Sequence, residues 1–467
     1  MLKIPALLAR RVIYPLQERV FKRPTFAYLA ELEQSQWLSR TEVEALQLEK
    51  LRRLFRVAHA HSSWHRQRLE AAGLSAEGLS SLSDLRRLPR MDKRDAAAHR
   101  EELVWMDVPG GAYRYNTGGS SGSPLIFHFG RERQASDAAG RMRARRWWGV
   151  EVGDPEAYLW GAPVELNKTD WVKTVRDRLI NQLVLNAFAM TPVRMDAYLD
   201  ALEAFQPRCL YGYASSLALL AAHAQERGRR PRLGALKVVC TTGEPLYPHQ
   251  RELIATAFGV PVANEFGSRD VGFTAHETPQ GQVLLLSESI VLEVLDEAGN
   301  AVAPGEMGEA VMTGLCSQAQ PFIRYRTGDM VRLSPEADRA GRGLHALAEV
   351  VGRSTDFLVR EDGTIMHALA GIYVLRAIEG LAEFKLIQHS LQDVEVLAVP
   401  DARWHDRAVL GIKAGLHQRL GESVRITVRV VERIPPEASG KHRYVVSHVR
   451  LGGELDRATA KDNHGHR

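Results

Sequence analysis

Cysteine is scarce: Cys209, Cys240 and Cys316 are the three in 467 residues. They stand far apart, with no CxxC or Cys/His ligand spacing, which argues against a disulfide framework or a structural zinc site and suits a reducing, cytoplasmic setting. Long apolar runs are missing too. None approaches the roughly 18 residues of a membrane-spanning helix. The opening MLKIPALLARRVIYPLQERVF is basic and amphipathic, yet Pro5, Pro15 and its arginines interrupt it too early for a secretory h-region. That stretch is compatible with peripheral membrane contact and no more. Neither sign of charge dominates: 61 Lys+Arg face 56 Asp+Glu, and the net +5 is spread without a basic tail. Such a balance fits an anionic small molecule. With no basic motif interleaved with aromatics, it argues against nucleic acid. The densest basic group, Arg141, Arg143, Arg145 and Arg146, is expected on a solvated helix face.

What is present is a core-forming share of hydrophobic residues, 45%, over a length that calls for one large unit and a smaller one. Residues 1 to about 105 read as helical, with Leu48, Leu51, Phe55 and Ala58 repeating at three- and four-residue steps. Strand and helix patterns then alternate as far as residue 265, which predicts parallel sheets covered by helices. Residues 282–350 change to short strands, an antiparallel or barrel-like part. Residues 356–451 read as a compact α+β lid domain after a large domain of residues 1–355, and residues 452–467 as a disordered polar tail.

The organising stretch is YNTGGSSGSP, residues 115–124. From Thr117 it sets Gly118, Gly119 and Gly122 among Thr117, Ser120, Ser121 and Ser123. Glycines permit turns that aim successive amides inward, and with the hydroxyls these make a receptor for a polyphosphate. Composition alone fits a flexible Gly/Ser connection equally well. The segment is not a Walker A loop, because Gly122 is followed by Ser123 and Pro124 and no lysine lies within it. Neutralising charge must come from elsewhere. Residues 241–245 (TTGEP) and 266–270 (FGSRD) follow apolar strands, so both belong at the carboxyl edge of a parallel sheet, where ligands collect. Lys441, in the turn-rich IPPEASGKHR, reads alone as a solvated surface charge.

Together these segments, with PFIRYRTGD (residues 321–329), residues 352–356 and residues 439–441, occur in the order and approximate spacing of the motifs of the adenylate-forming enzymes. That superfamily holds acyl-CoA synthetases, peptide-synthetase adenylation domains and luciferases. The chain most resembles the phenylacetate-CoA ligase branch, in particular the CapK-like proteins of bacterial polysaccharide gene clusters, from about residue 1 to about 451. The resemblance implies that Thr117, Gly118, Gly119, Ser120, Ser121 and Gly122 cradle ATP phosphates. Gly243, Glu244 and Pro245 would line the adenine, with Phe266, followed by Gly267 and Ser268, against its ring. Asp270 would meet Mg²⁺, Asp329 the ribose hydroxyls and Arg353 the ribose or phosphate. Asp356 matches a hinge and Lys441 the adenylation lysine. Trp160, Tyr211, Tyr213 and Ala214 fall in the acyl-pocket region, although each reads equally as core.

Three positions depart from the family pattern. Ser123 replaces a lysine, Arg269 replaces a Thr/Ser and can supply phosphate charge, and Asp270 is a methylene shorter than the usual glutamate. The implied activity is ATP-dependent activation of a carboxylic acid, then transfer to a thiol, coenzyme A first. The alternatives are a carrier protein acting in trans or a sugar acceptor, and a non-catalytic ATP-binding protein. Oligomeric state is not readable.

Overall fold

The computed structural model describes residues 4–116, 125–160, 178–187, 190–353, 357–361, 365–367, 369–405, 407–434 and 444–449. Two compact units emerge: residues 1–327 with 331–351, and residues 328–330 with 352–467.

The first unit opens with helices, as the periodicity of Leu48, Leu51, Phe55 and Ala58 predicts. The longest, Arg40–His61, starts at a capping box in which the Ser39 side chain accepts from the Glu42 amide and Glu42 answers to the Ser39 amide. From its buried stripe, Leu51, Leu54, Phe55 and Ala58 pack with Leu69, Leu79 and Leu85. The strands follow in chain order: β1 (Tyr113–Asn116), β2 (Ile126–Phe129), β3 (Glu156–Trp160), β4 (Gln182–Asn186), β5 (Cys209–Tyr213), β6 (Val238–Thr242), β7 (Val262–Ser268), β8 (Gly272–Glu277), β9 (Val283–Leu285), β10 (Ile290–Leu295), β11 (Met307–Gly314), β12 (Tyr325–Leu333) and β13 (Ala346–Arg353). β1 and β2 pair as an antiparallel hairpin. The rest form one eleven-stranded sheet in the order β10-β11-β12-β13-β9-β8-β7-β6-β5-β3-β4.

From β4 to β7 the pairing is parallel, as the alternating pattern predicts, and its two faces are read off the pleat. Leu159, Leu210, Val239 and Val262 share one cluster with the helices Pro192–Phe205, Ala214–Glu226 and Pro248–Phe258. Tyr158, Tyr211, Cys240 and Ala263 alternate with them in a second cluster. Gly212 is required by close approach, because a Cβ there would stand 2.6 Å from the Leu159 carbonyl oxygen.

The short strands after residue 282 do not separate from this sheet; they extend it antiparallel through β9, β10 and β11. The extension is strongly curled. β12 and β7 are four strand spacings apart in pairing order, about 19 Å if flat. Yet the Tyr325 hydroxyl lies 2.6 Å from Asp270 Oδ2, just past β7. The enclosed cluster includes Phe127, Phe266, Ile290, Met312, Phe322 and Tyr325.

The helix Arg131–Trp147 overturns the expectation of a solvated basic face. Arg143 is 1% exposed and paired with fully buried Glu288. Arg145 meets Glu156 at 3.0 Å, Arg146 meets Glu33 at 2.8 Å and Arg141 meets Glu265 at 3.4 Å. Small residues Ala135, Ser136, Ala139, Gly140 and Ala144 bring this helix close to its neighbours, so its long cations reach carboxylates on other elements instead of water.

The second unit holds a hairpin of β14 (Phe357–Val359) and β15 (Ile365–His367). It also holds a four-stranded sheet of β16 (Leu381–Ser390), β17 (Asp393–Pro400), β18 (Arg425–Val430) and β19 (Val445–Ser447), ordered β18-β17-β16-β19. Helix Arg407–Leu420 buries Ala408, Ile412, Leu416 and Leu420. Fully buried Gln388 substitutes for a strand partner: its amide accepts from the Val359 N–H at 2.9 Å and donates to the Val359 carbonyl at 2.6 Å. No helix among the described residues is long and apolar enough to cross a membrane.

Candidate functional site

Three adjacent parallel strands, β3, β5 and β6, end in one row, level with Glu265 on β7. The pairings Leu159↔Gly212, Tyr213↔Thr242 and Thr242↔Glu265 set Trp160, Tyr213, Thr242 and Glu265 side by side at the carboxyl edge. Trp160 and Tyr213 stack at 4.4 Å, and Trp160 also stacks on Tyr211 at 5.7 Å. Three of the predicted pocket residues therefore form one aromatic wall. Ala214, the fourth, is fully buried at a helix start and takes the core reading.

Behind the wall lies a polar network that the sequence did not single out. Glu265, 4% exposed, accepts from the Tyr211 hydroxyl at 2.7 Å and the Thr242 hydroxyl at 3.3 Å, beside Arg141. Burial opposes charge on Glu265, but Arg141, His276, Arg145 and the Tyr211 hydroxyl together hold its carboxyl below the usual range. Burial, then the Glu265 charge, pushes the Tyr211 phenol up. Tyr213 is pushed up to about 12 by burial, with Arg269 opposing and Glu244 adding. Both tyrosines stay neutral near pH 7.

Beyond β6 the chain turns at Gly243, whose φ of 74° favours glycine. Glu244 is anchored: its Oε2 accepts from the Ser215 amide at 2.9 Å, at the N-terminus of helix Ala214–Glu226, where a negative charge is favoured. Thr241 and Thr242, expected in a loop, are the last residues of β6 and are buried. Phe266 and Ser268 likewise belong to β7. The Phe266 ring is 8% exposed, packed with Phe127 and Val271.

Just past β7, three distant parts of the chain meet. Tyr115, on the strand that leads into the glycine-rich segment, lies under the Arg269 guanidinium at 5.5 Å. The Tyr325 hydroxyl, from the PFIRYRTGD motif, donates to buried Asp270. Arg133 donates to the carbonyl oxygens of Arg269 at 2.5 Å and Asp270 at 2.7 Å, which fixes their backbone. Neither Arg133 nor Tyr325 was assigned a role from the sequence, although the small residues of the Arg131–Trp147 helix signal a helix packed closely beside the site. Among the described residues no cluster of three or more His, Cys, Asp or Glu could hold a metal. Asp270 supplies one buried carboxylate, and that suffices for Mg²⁺ carried on substrate phosphates, which keeps water and phosphate oxygens as its other ligands.

Asp329 is buried on β12. Arg353 ends β13. Residues 117–124, Asp356 and Lys441 lie outside the described residues.

Residues 358–448 match the family model of the CapK C-terminal domain. Protein CapK of Staphylococcus aureus is 20% identical over 87% of this chain and 89% of its own length. Phenylacetate-coenzyme A ligase of Thermus thermophilus is 25% identical over 71% of this chain and 74% of its own. A structure of 2-hydroxyisobutyryl-CoA ligase in the postadenylation state, in complex with R3-HIB-AMP, superposes with a TM-score of 0.69 at 21% identity, covering 92% of this chain and 94% of that one. In sequence this chain is similar to CapK and the phenylacetate-coenzyme A ligases, and in fold to 2-hydroxyisobutyryl-CoA ligase.

Proposed function

We propose that the protein activates a carboxylic acid with ATP and passes the acyl group to a thiol, coenzyme A in the first instance. The observation that carries this is the meeting of Tyr115, Arg269, Asp270 and Tyr325 beside the row of strand ends. In the first step a carboxylate oxygen of the acid attacks the α-phosphorus of ATP. A C–O–P bond forms, the bond to the bridging oxygen breaks, and pyrophosphate leaves with the electron pair. This chain's part is placement and charge. The amides of residues 117–122 hold the phosphates, Arg269 adds a cation, and Lys441 bridges the acid and the α-phosphate. Gly243, Glu244, Pro245 and Phe266 border the adenine, Asp329 receives the ribose hydroxyls, and Arg353 contacts ribose or phosphate. Mg²⁺ at Asp270 would supply charge neutralisation at the phosphate oxygens. The Trp160–Tyr213 stack offers the acid a flat apolar wall, which suits an aryl or related acid. In the second step the chain swings at Asp356, Lys441 withdraws, and a thiolate attacks the acyl carbon with AMP leaving.

A second acceptor has an observation in its favour: residues 358–448 match a domain described by CapK. Transfer to a carrier protein in trans or to a sugar in surface polysaccharide assembly keeps the first step and changes only the second.

Lys441→Ala tests the adenylation step. Carboxylate-dependent pyrophosphate release should fall about 100-fold or more, while thiol attack on a supplied acyl-adenylate persists. Undiminished release would refute the mechanism. Mass spectrometry of products from an acid panel with ATP and coenzyme A separates the acceptors.

A further inference from the structure

The helical segment of residues 6–20 is pinned by one face and bare on the other. Asn181 accepts from the Ile4 amide at 3.0 Å and donates to the Ile4 carbonyl at 2.8 Å. Ala9 is fully buried against Gly153, and Arg10 donates to the Val152 carbonyl at 2.8 Å. Tyr14 packs edge-on to Phe26, and Glu18 is buried under Arg23 and Thr25. A π turn at Ala9–Ile13 widens the helix locally, so Ala9, Tyr14 and Glu18 keep to one side.

The opposite side is a stripe. Leu8, Val12, Leu16 and Val20 recur every four residues, 45%, 51%, 58% and 69% exposed, with Leu7 and Phe21 also exposed. Of the seventeen exposed large apolar side chains among the described residues, six fall within residues 7–21, so the stripe is a concentration and not the usual scatter. Its flanks are basic: Arg11, Arg19 and Lys22 are exposed. The one acid in residues 4–24 is Glu18, which is turned inward.

We propose that residues 6–22 seat this protein on the surface of a bilayer rich in anionic lipid, with the helix lying in the headgroup plane. A bare apolar stripe flanked by cations is the pattern of an interfacial helix, and its charge complements an anionic leaflet. A second copy of the chain is the poorer fit, because a two-fold pairing of this face sets Arg11, Arg19 and Lys22 against themselves with no exposed carboxylate on the segment to neutralise them. This surface is independent of the ligase reading above.

The test is co-sedimentation of the full chain with vesicles of phosphatidylcholine alone and of equimolar phosphatidylcholine and phosphatidylglycerol. The chain binds the mixed vesicles and is weakened by added salt. Leu16→Asp with Val20→Asp lowers binding about tenfold or more, and Arg11→Glu with Arg19→Glu removes the preference for anionic lipid. All four side chains are exposed, so thermal unfolding of the variants stays that of the native chain. Absence of binding to mixed vesicles at low salt overturns the proposal, as does equal binding by the Asp variant. A dimer in light scattering that the Asp variant dissociates, without vesicle binding, would assign the stripe to a second copy.

Discussion

Tyr325 shows how a single hydroxyl can tie a site together. Its oxygen bridges the curled end of the sheet to Asp270, in a place from which water is largely excluded. A hydrogen bond to a charged group is worth about 1.5–3 kcal/mol. Tyr325→Phe should lower the free energy of urea unfolding by that amount and raise the Mg²⁺ concentration needed for half-maximal pyrophosphate release, since Asp270 loses its positioning donor. If stability and metal requirement both stay native, the contact does neither job. Position 325 stood inside a recognised motif, yet its role was hidden, because nothing in a tyrosine's neighbours along the chain says which distant carboxylate it will meet. Glu265 was hidden for the same reason: Arg141, Tyr211 and Thr242 reach it from three other elements.

At the level of elements, the helix Arg131–Trp147 is held by ion pairs where an ordinary core helix uses leucine. Arg143 and Glu288 are both buried; Arg143 also donates to the Leu32 carbonyl and Glu288 accepts from the Ser35 hydroxyl. Removing one charge strands the other. Arg143→Met should cost about 3–5 kcal/mol, read as a drop in the urea midpoint. Adding Glu288→Gln should restore most of it, since the pair's worth against a neutral replacement is small. A double variant no better than the single one would mean that the loss is one of shape. Sequence patterning read this helix as solvated because arginine is most often exposed; small residues at close-packing intervals were the opposing signal.

For the whole molecule, fully buried His65 and half-buried His345 contribute to a pH dependence. His65 donates from Nε2 to the Pro321 carbonyl at 2.9 Å and accepts from Arg68 at Nδ1 at 3.0 Å, so its ring is neutral. Burial, then Arg68, pushes it down to about 3, and burial, then Arg40, pushes His345 down to about 4. Both folded values lie below the ordinary 6.5, so the unfolded chain takes up protons first as the medium is acidified. Stability is complete above pH 6.5 and declines as pH falls from there toward 4 and then 3, by about 2 kcal/mol per histidine between pH 7 and pH 5. Urea midpoints at those two pH values test this, and His345→Gln should remove its share of the difference, about 2 kcal/mol. A flat profile in the native chain would contradict it. The sequence by itself determined the helical opening, the parallel strands and the edge at which residues 241–245 and 266–270 fall, because apolar period and glycine punctuation are local properties. It also carried the order of motifs on which the resemblance to CapK and the phenylacetate-coenzyme A ligases rests. Only the tertiary structure decided that the strands after residue 282 curl the same sheet until Tyr325 touches Asp270, that the basic helix turns inward, and that the first helix leaves its apolar stripe bare. Those outcomes depend on which distant surfaces meet, and pairing energies between remote segments leave no period in the chain.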